Sequence, residues 1–199
     1  MKDLVLLVAD ADMREAFNAL LQREGSLGIS RVSYDIFVHP RRDSGVMREG
    51  LLFLSELGFP HVYARAFLVL DAEWGGSPGA SQIRHDLQTK IEQRCWTDRV
   101  KPIVIDPELE QWVWVPSPHV AQVLRWGSFR EMRGYLERCG FWPAGQSKPL
   151  NPKEAFERTR RVPRSPALFK SLAQTVSLKH CNDPAFSEFV STLRLWFGA

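Results

Sequence analysis

Cysteine is scarce in this sequence. Cys95, Cys139 and Cys181 are widely spaced and odd in number, which leaves no disulfide framework and no paired-cysteine metal motif. Histidine is also sparse, with five residues in 199, so a nitrogen- and sulfur-rich zinc site is not indicated. Long apolar runs are missing too. The opening run Leu4-Val5-Leu6-Leu7-Val8 follows an acidic residue, is too short to span a bilayer and is followed by no small-residue cleavage site. It reads as a buried strand of a protein of the reducing cytoplasm, with no membrane partner. Internal repeats, low-complexity tracts and coiled-coil heptads are absent as well, which leaves one sizeable core, or one core with a small helical appendage.

The charge is present but unevenly placed. Residues 1–124 hold 13 basic against 17 acidic residues, a net −4, and residues 125–199 hold 13 against 6, a net +7. A basic surface beside an acidic cluster suits a metal-dependent phosphodiesterase, because carboxylates alone would repel a phosphate backbone. Solvated helix faces account for the same distribution equally well.

The first half alternates strand and helix patterns, the signature of a mostly parallel sheet with crossover helices. Short aliphatic runs at Leu4–Val8, Val32–Val38, Ala66–Leu70 and Pro102–Ile105 predict four strands buried on both faces. Met13–Arg23, Val46–Leu57 and Ser81–Arg94 fill the gaps as helices. After Ile105 the pattern becomes a helical cap: His119–Trp126, Phe129–Cys139, Pro152–Arg161, Ala167–Leu178 and Pro184–Phe197. Three of these helices begin with a capping residue and a proline.

In an open parallel sheet, ligands bind beyond the carboxyl ends of the strands. Three of the four predicted strands end in acids: Asp10 and Asp12 after the first, Asp71 and Glu73 after the third, Asp106, Glu108 and Glu110 after the fourth. A spacing of two in extended backbone sends both side chains to one side. Hard oxygen donors with few histidines or cysteines nearby suit Mg²⁺ or Mn²⁺. Asp10, Asp71, Glu73 and Glu110 are the first candidates for metal ligands and catalysis, with Asp12 beside them. Each acid also has an ordinary use, such as Asp12 capping the helix that starts near Met13. The second strand leads into His39-Pro40-Arg41-Arg42-Asp43-Ser44-Gly45. There His39 is a candidate general base and Arg41 and Arg42 are candidate phosphate partners. In the basic half, Lys148 is a candidate partner for a scissile phosphate. Lys153, Arg160 and Arg161 complete a row able to hold a nucleic-acid backbone without reading its sequence. Trp112, Trp114 and Trp126 are either base-stacking surfaces or core.

These motifs resemble the Toprim fold, and more narrowly the Toprim-like proteins of bacterial defence islands related to the overcoming-lysogenisation-defect nucleases. The likeness rests on the first strand with its acids and helix, on Phe67-Leu68-Val69-Leu70-Asp71-Ala72-Glu73, on Asp106-Pro107-Glu108-Leu109-Glu110-Gln111-Trp112, and on the closing segment from Asp183-Pro184 to Leu195-Trp196-Phe197. Where that family has a glutamate and a glycine after its first strand, this chain has Ala9-Asp10, and Glu73 stands in place of an aspartate. The resemblance implies a Toprim-like α/β domain over residues 1–124 and a basic helical extension, residues 125–199, packed on it. It further implies a Mg²⁺- or Mn²⁺-dependent nuclease component of an antiphage defence system, with nucleic acid and other defence proteins as partners. Two other classes fit the residues: a non-catalytic structural or nucleic-acid-binding subunit of such a complex, and a haloacid-dehalogenase-type phosphatase. In the phosphatase Asp10 would be the nucleophile and Asp12 the acid/base.

Overall fold

Lys2–Val8 and Tyr63–Asp71 are nearly continuous apolar stretches because the strands they form are covered on both faces, leaving no solvent side for polar residues. In the computed structural model, which describes residues 1–94, 96–177 and 181–198, these strands are β1 and β3. They form the centre of a four-stranded, all-parallel sheet of order β2-β1-β3-β4, with β2 at Tyr34–Val38 and β4 at Val100–Ile105. The register pairs Leu6 with Ile36 on one side and with Phe67 on the other, and Val69 with Ile103. The expected α/β fold, a parallel sheet flanked by helices and closed by a C-terminal helix, is what the chain adopts.

The connections are α1 (Ala11–Leu21), a short α2 (Glu24–Leu27), α3 (Arg42–Glu56) and α4 (Ala80–Gln93). α3 and α4 cover one face of the sheet. Gly50 of α3 brings its backbone down onto Leu7 and Leu68, so close that an added Cβ would lie 3.1 Å from the Leu68 Cδ2. The other face carries α1 and α9 (Pro184–Phe197), whose Phe189 meets Phe17 of α1 edge-on at 4.9 Å and Phe67 of β3 at 5.1 Å. Between β4 and α9 lie a 3₁₀ turn (Leu109–Trp112), α5 (Pro118–Val123), α6 (Phe129–Arg138), α7 (Pro152–Thr159) and α8 (Pro166–Thr175). α8 packs along α1, and residues of both halves of the chain share one apolar core. Among the described residues, no helix is long and apolar enough to cross a membrane.

Several element boundaries differ from the expected ones for identifiable reasons. Asp10, not Asp12, caps α1: its Oδ1 accepts the Met13 N–H at 2.9 Å, so the helix starts two residues early. α3 begins four residues before Val46 because Arg42 adopts φ +51°, turning the chain sharply into the helix. Arg125, at φ +65°, ends the region of α5 before Trp126. β3 starts at Tyr63, where Arg65 pairs with Leu4 in an edge whose polar residues hide the strand pattern. The expected end of α8 at Leu178, and Cys95, lie outside the described residues.

The three tryptophans considered as stacking surfaces belong to the packing of the cap. Trp114 is fully buried against Trp142 and donates its indole N–H to the Pro152 carbonyl. Trp126 donates to the Thr159 carbonyl, and Trp112 to Asp183 Oδ1.

Candidate functional site

Strand order decides where a site can form. The chain leaves β1 for β2 on one side and returns to β3 on the other, so the crossovers diverge between β1 and β3 and open a crevice at their carboxyl ends. Val8 and Val69 are the last paired residues there, and Asp10 and Asp71 follow them. Around this point lies a cleft of about 340 Å³. It gathers Asp10, Asp12, Asp71, Glu73 and Glu110 together with Arg41, Arg42 and Lys153. Eight of the residues singled out in the sequence therefore line one cavity.

Asp71 is the most strained member electrostatically. Its Oδ1 has no contact with solvent and no hydrogen-bond partner among the described residues. Burial pushes its carboxyl well above the ordinary range, and the neighbouring Asp43, Glu110 and Asp10 push it further. Asp43, in the first turn of α3, accepts the Asp71 backbone N–H on Oδ1 at 2.9 Å. It too is raised, by burial, with that hydrogen bond working the other way. Glu110 is only 1 % exposed.

A second cluster forms around Arg164, in the connection between α7 and α8. Its Nη2 lies 2.8 Å from Asp12 Oδ2, and its Nη1 lies 2.5 Å from Glu110 Oε1 and 3.2 Å from Glu157 Oε1. Burial raises the Asp12 and Glu110 carboxyls, and the guanidinium offsets part of that rise. Burial opposes the charge on Arg164 itself, but Glu110 and Asp12 outweigh it and hold the proton more firmly than usual. Lys153 sits beside this pair, with Nζ 3.0 Å from Glu108 Oε2. Glu73 stands exposed on the rim.

Other candidates are placed elsewhere. His39 does not reach the cleft: it is 3 % exposed, its Nδ1 accepts the Arg41 N–H at 3.1 Å, and its ring packs on Phe53. Burial also lowers its pKa, and its buried ring braces the turn outside the cleft lining. Lys148 donates to the Gln111 carbonyl at 2.9 Å, tying the 3₁₀ turn in place away from the cleft. Arg160 is bound by Glu157 at 2.5 Å, and Arg161 lies 3.7 Å over the Trp126 ring. Those two arginines hold the cap together rather than facing a ligand. Asp43, Arg164 and Trp74 are cleft residues that sequence reasoning did not select. Only Asp43 had a local signal, as an acid at the end of the second strand.

The turn that carries Arg41, Arg42 and Asp43 has no slack. A Cβ added to Gly45 would fall 2.1 Å from His39 Nδ1 and 2.7 Å from the Arg41 Cβ. Gly45→Ala is therefore expected to destabilise the chain by about 1–3 kcal/mol, as overpacking does. For a chain of this size that is a melting temperature lower by about 2–12 °C. An unchanged melting temperature in a thermal scan would show that the turn opens freely.

Fold and cleft together define a parallel α/β protein with an acidic, arginine-bridged crevice at its topological switch point. Comparison of the chain with protein-family models, with curated proteins and with solved structures finds no match. Its functional reading accordingly rests on the cleft and on the motifs that form it.

Proposed function

We propose that the cleft is a divalent-cation-dependent phosphodiesterase site for nucleic acid, of the type found in Toprim nucleases. The observation that carries this reading is Asp71: a strand-end carboxylate with a buried oxygen left unpartnered, pressed by Asp43, Asp10 and Glu110. Such an arrangement is costly in its charged form unless a cation accompanies it. Among the described residues, no three acidic, histidine or cysteine side chains converge into a ready-made metal cage. Mg²⁺ does not need one, since it is commonly held by one or two carboxylates while keeping several waters. The donors fit: Asp71 with Asp43 and Asp10 would hold Mg²⁺ or Mn²⁺, and Glu73 would stand at the rim. A cation held there supplies activation of a water nucleophile and stabilisation of a leaving oxygen.

The protein's own groups do the rest. Arg41 and Arg42 line the cleft on the β2–α3 side and Lys153 on the cap side, so a phosphodiester between them meets positive charge from two directions. The antiphage setting and its partner proteins are carried by the resemblance of the motifs to defence-island Toprim proteins. A second reading, a non-catalytic nucleic-acid-binding subunit, is favoured by Arg164: an internal guanidinium already neutralises Asp12 and Glu110, as a bound cation would. The same guanidinium engages Asp12, the acid/base that a phosphatase mechanism would need.

Incubating the full chain with plasmid DNA or RNA and Mn²⁺ or Mg²⁺ separates these readings. The nuclease reading expects cation-dependent cleavage that falls by about 10–100-fold or more in Asp71→Asn and Asp43→Asn. Absence of turnover with every substrate and cation, alongside retained nucleic-acid binding, would establish the non-catalytic subunit instead.

A further inference from the structure

Trp74 differs from the other tryptophans of this chain. Trp96 packs edge-on against Phe59, Trp196 lies against Phe67 under the Arg65 guanidinium, and Trp112, Trp114, Trp126 and Trp142 all donate their indole N–H to protein acceptors. The Trp74 indole alone has no aromatic, cationic or hydrogen-bonding partner among the described residues. It is half-buried on the loop after β3, three residues beyond Asp71. It lies where the acidic cleft meets a second, more open cavity of about 480 Å³ lined by Ser77, Glu108, Asn151 and Lys153.

The loop is built to hold that ring still. Ala72 and Glu73 both donate their backbone N–H to the Pro107 carbonyl, and Ser77 N–H returns to the Trp74 carbonyl at 3.0 Å. Gly75 and Gly76 follow with no atom within 4 Å of where a Cβ would stand, and Gly76 turns at φ +80°. Neither glycine has a side chain to cover the indole, which packs in part on the core and lines both cavities with the rest. A fixed aromatic face with Lys153 beside it and Arg41 and Arg42 across the cleft matches the two elements of single-strand recognition: a stacking platform and a positively lined backbone track.

We infer that Trp74 stacks on an unpaired nucleobase next to the phosphodiester held in the cleft, making single-stranded nucleic acid the preferred substrate. The inference rests on the nuclease reading and adds to it the substrate class. In a duplex the bases stack on each other, so neither strand offers a free face to the indole.

The test is fluorescence anisotropy with the full chain, using labelled oligo-dT, oligo-U and a matching duplex in the presence of Ca²⁺. Trp74→Ala is expected to weaken binding of at least one single strand by about 5–100-fold. Trp74→Phe should stay within about twofold of the parent, and duplex binding should change by less than about twofold, since a ring is all the contact needs. Equal binding by Trp74→Ala and the parent overturns the inference. So does an equal loss in the alanine and phenylalanine variants, or a loss as large for duplex as for single strand, because each marks a structural role for the loop. Mn²⁺-dependent cleavage of a single strand that ignores Trp74→Ala overturns this inference and leaves the nuclease reading intact. Failure to bind or cleave any oligonucleotide overturns both.

Discussion

Asp71→Asn is expected to raise the melting temperature of the chain at neutral pH while removing its response to divalent cations. The carboxyl of Asp71 is held well above its ordinary range by burial and by the acids around it. Between the unfolded value and that raised value, the folded state binds more protons than the unfolded state, so stability falls as pH rises through the window. As pH climbs through that window, the penalty of the charged form comes progressively into force. Asparagine removes the charge at nearly constant shape. A gain of about 1–3 kcal/mol, hence about 2–12 °C, is expected. The gain should shrink as pH is lowered and Asp71 takes up its proton. A cation that binds only the folded state stabilises it by about 2.7 kcal/mol at a hundredfold excess over its dissociation constant. The parent should therefore gain stability with Mn²⁺ and the asparagine variant should not. Thermal scans of both proteins at two pH values, with and without Mn²⁺, measure all of this. An asparagine variant that melts lower than the parent and still responds to Mn²⁺ would place the cation elsewhere.

That Asp71 is legible in the sequence follows from the kind of sheet this is. Strands buried on both faces read as unbroken aliphatic runs, so the first acid after such a run marks a strand end, and strand order then gathers those ends. Asp10, Asp71 and Glu110 were legible on this basis. Asp43 was harder, because α3 starts four residues before its apolar pattern does; the left-handed turn at Arg42 is a backbone event that arginine does not announce. Arg164 was harder still. Its partner Asp12 is 152 residues away, and nothing in the run Arg158 to Arg164 separates the arginine that crosses to the cleft from those that brace Glu157 and Trp126. His39 misled for a related reason: a histidine beside a strand end looks available until the packing of Gly45 and Phe53 closes over it.

Arg164→Met should be strongly destabilising. Methionine keeps the apolar contact with Phe156 and Phe169, over which the guanidinium now lies, so the loss reports mainly on charge. Without Arg164, Glu110 and Asp12 lose their paired counter-ion in a largely buried cleft, with only Lys153 nearby, and breaking a buried pair by removing one member costs about 3–5 kcal/mol. That corresponds to about 6–20 °C in melting temperature. The loss should be greatest at neutral pH and fade as pH falls, since both carboxyls would then be pushed further up and would take protons that the parent does not need. Adding Glu110→Gln to Arg164→Met should restore much of the stability, and the coupling between the two changes measures the bond free of background. Mn²⁺ should stabilise Arg164→Met by more than it stabilises the parent, because the acids released by the arginine become available to the cation. If Mn²⁺ stabilises the two proteins equally, Asp12 and Glu110 belong to the cap even when released, and the cation-binding set does not extend beyond Asp10, Asp43, Asp71 and the rim Glu73.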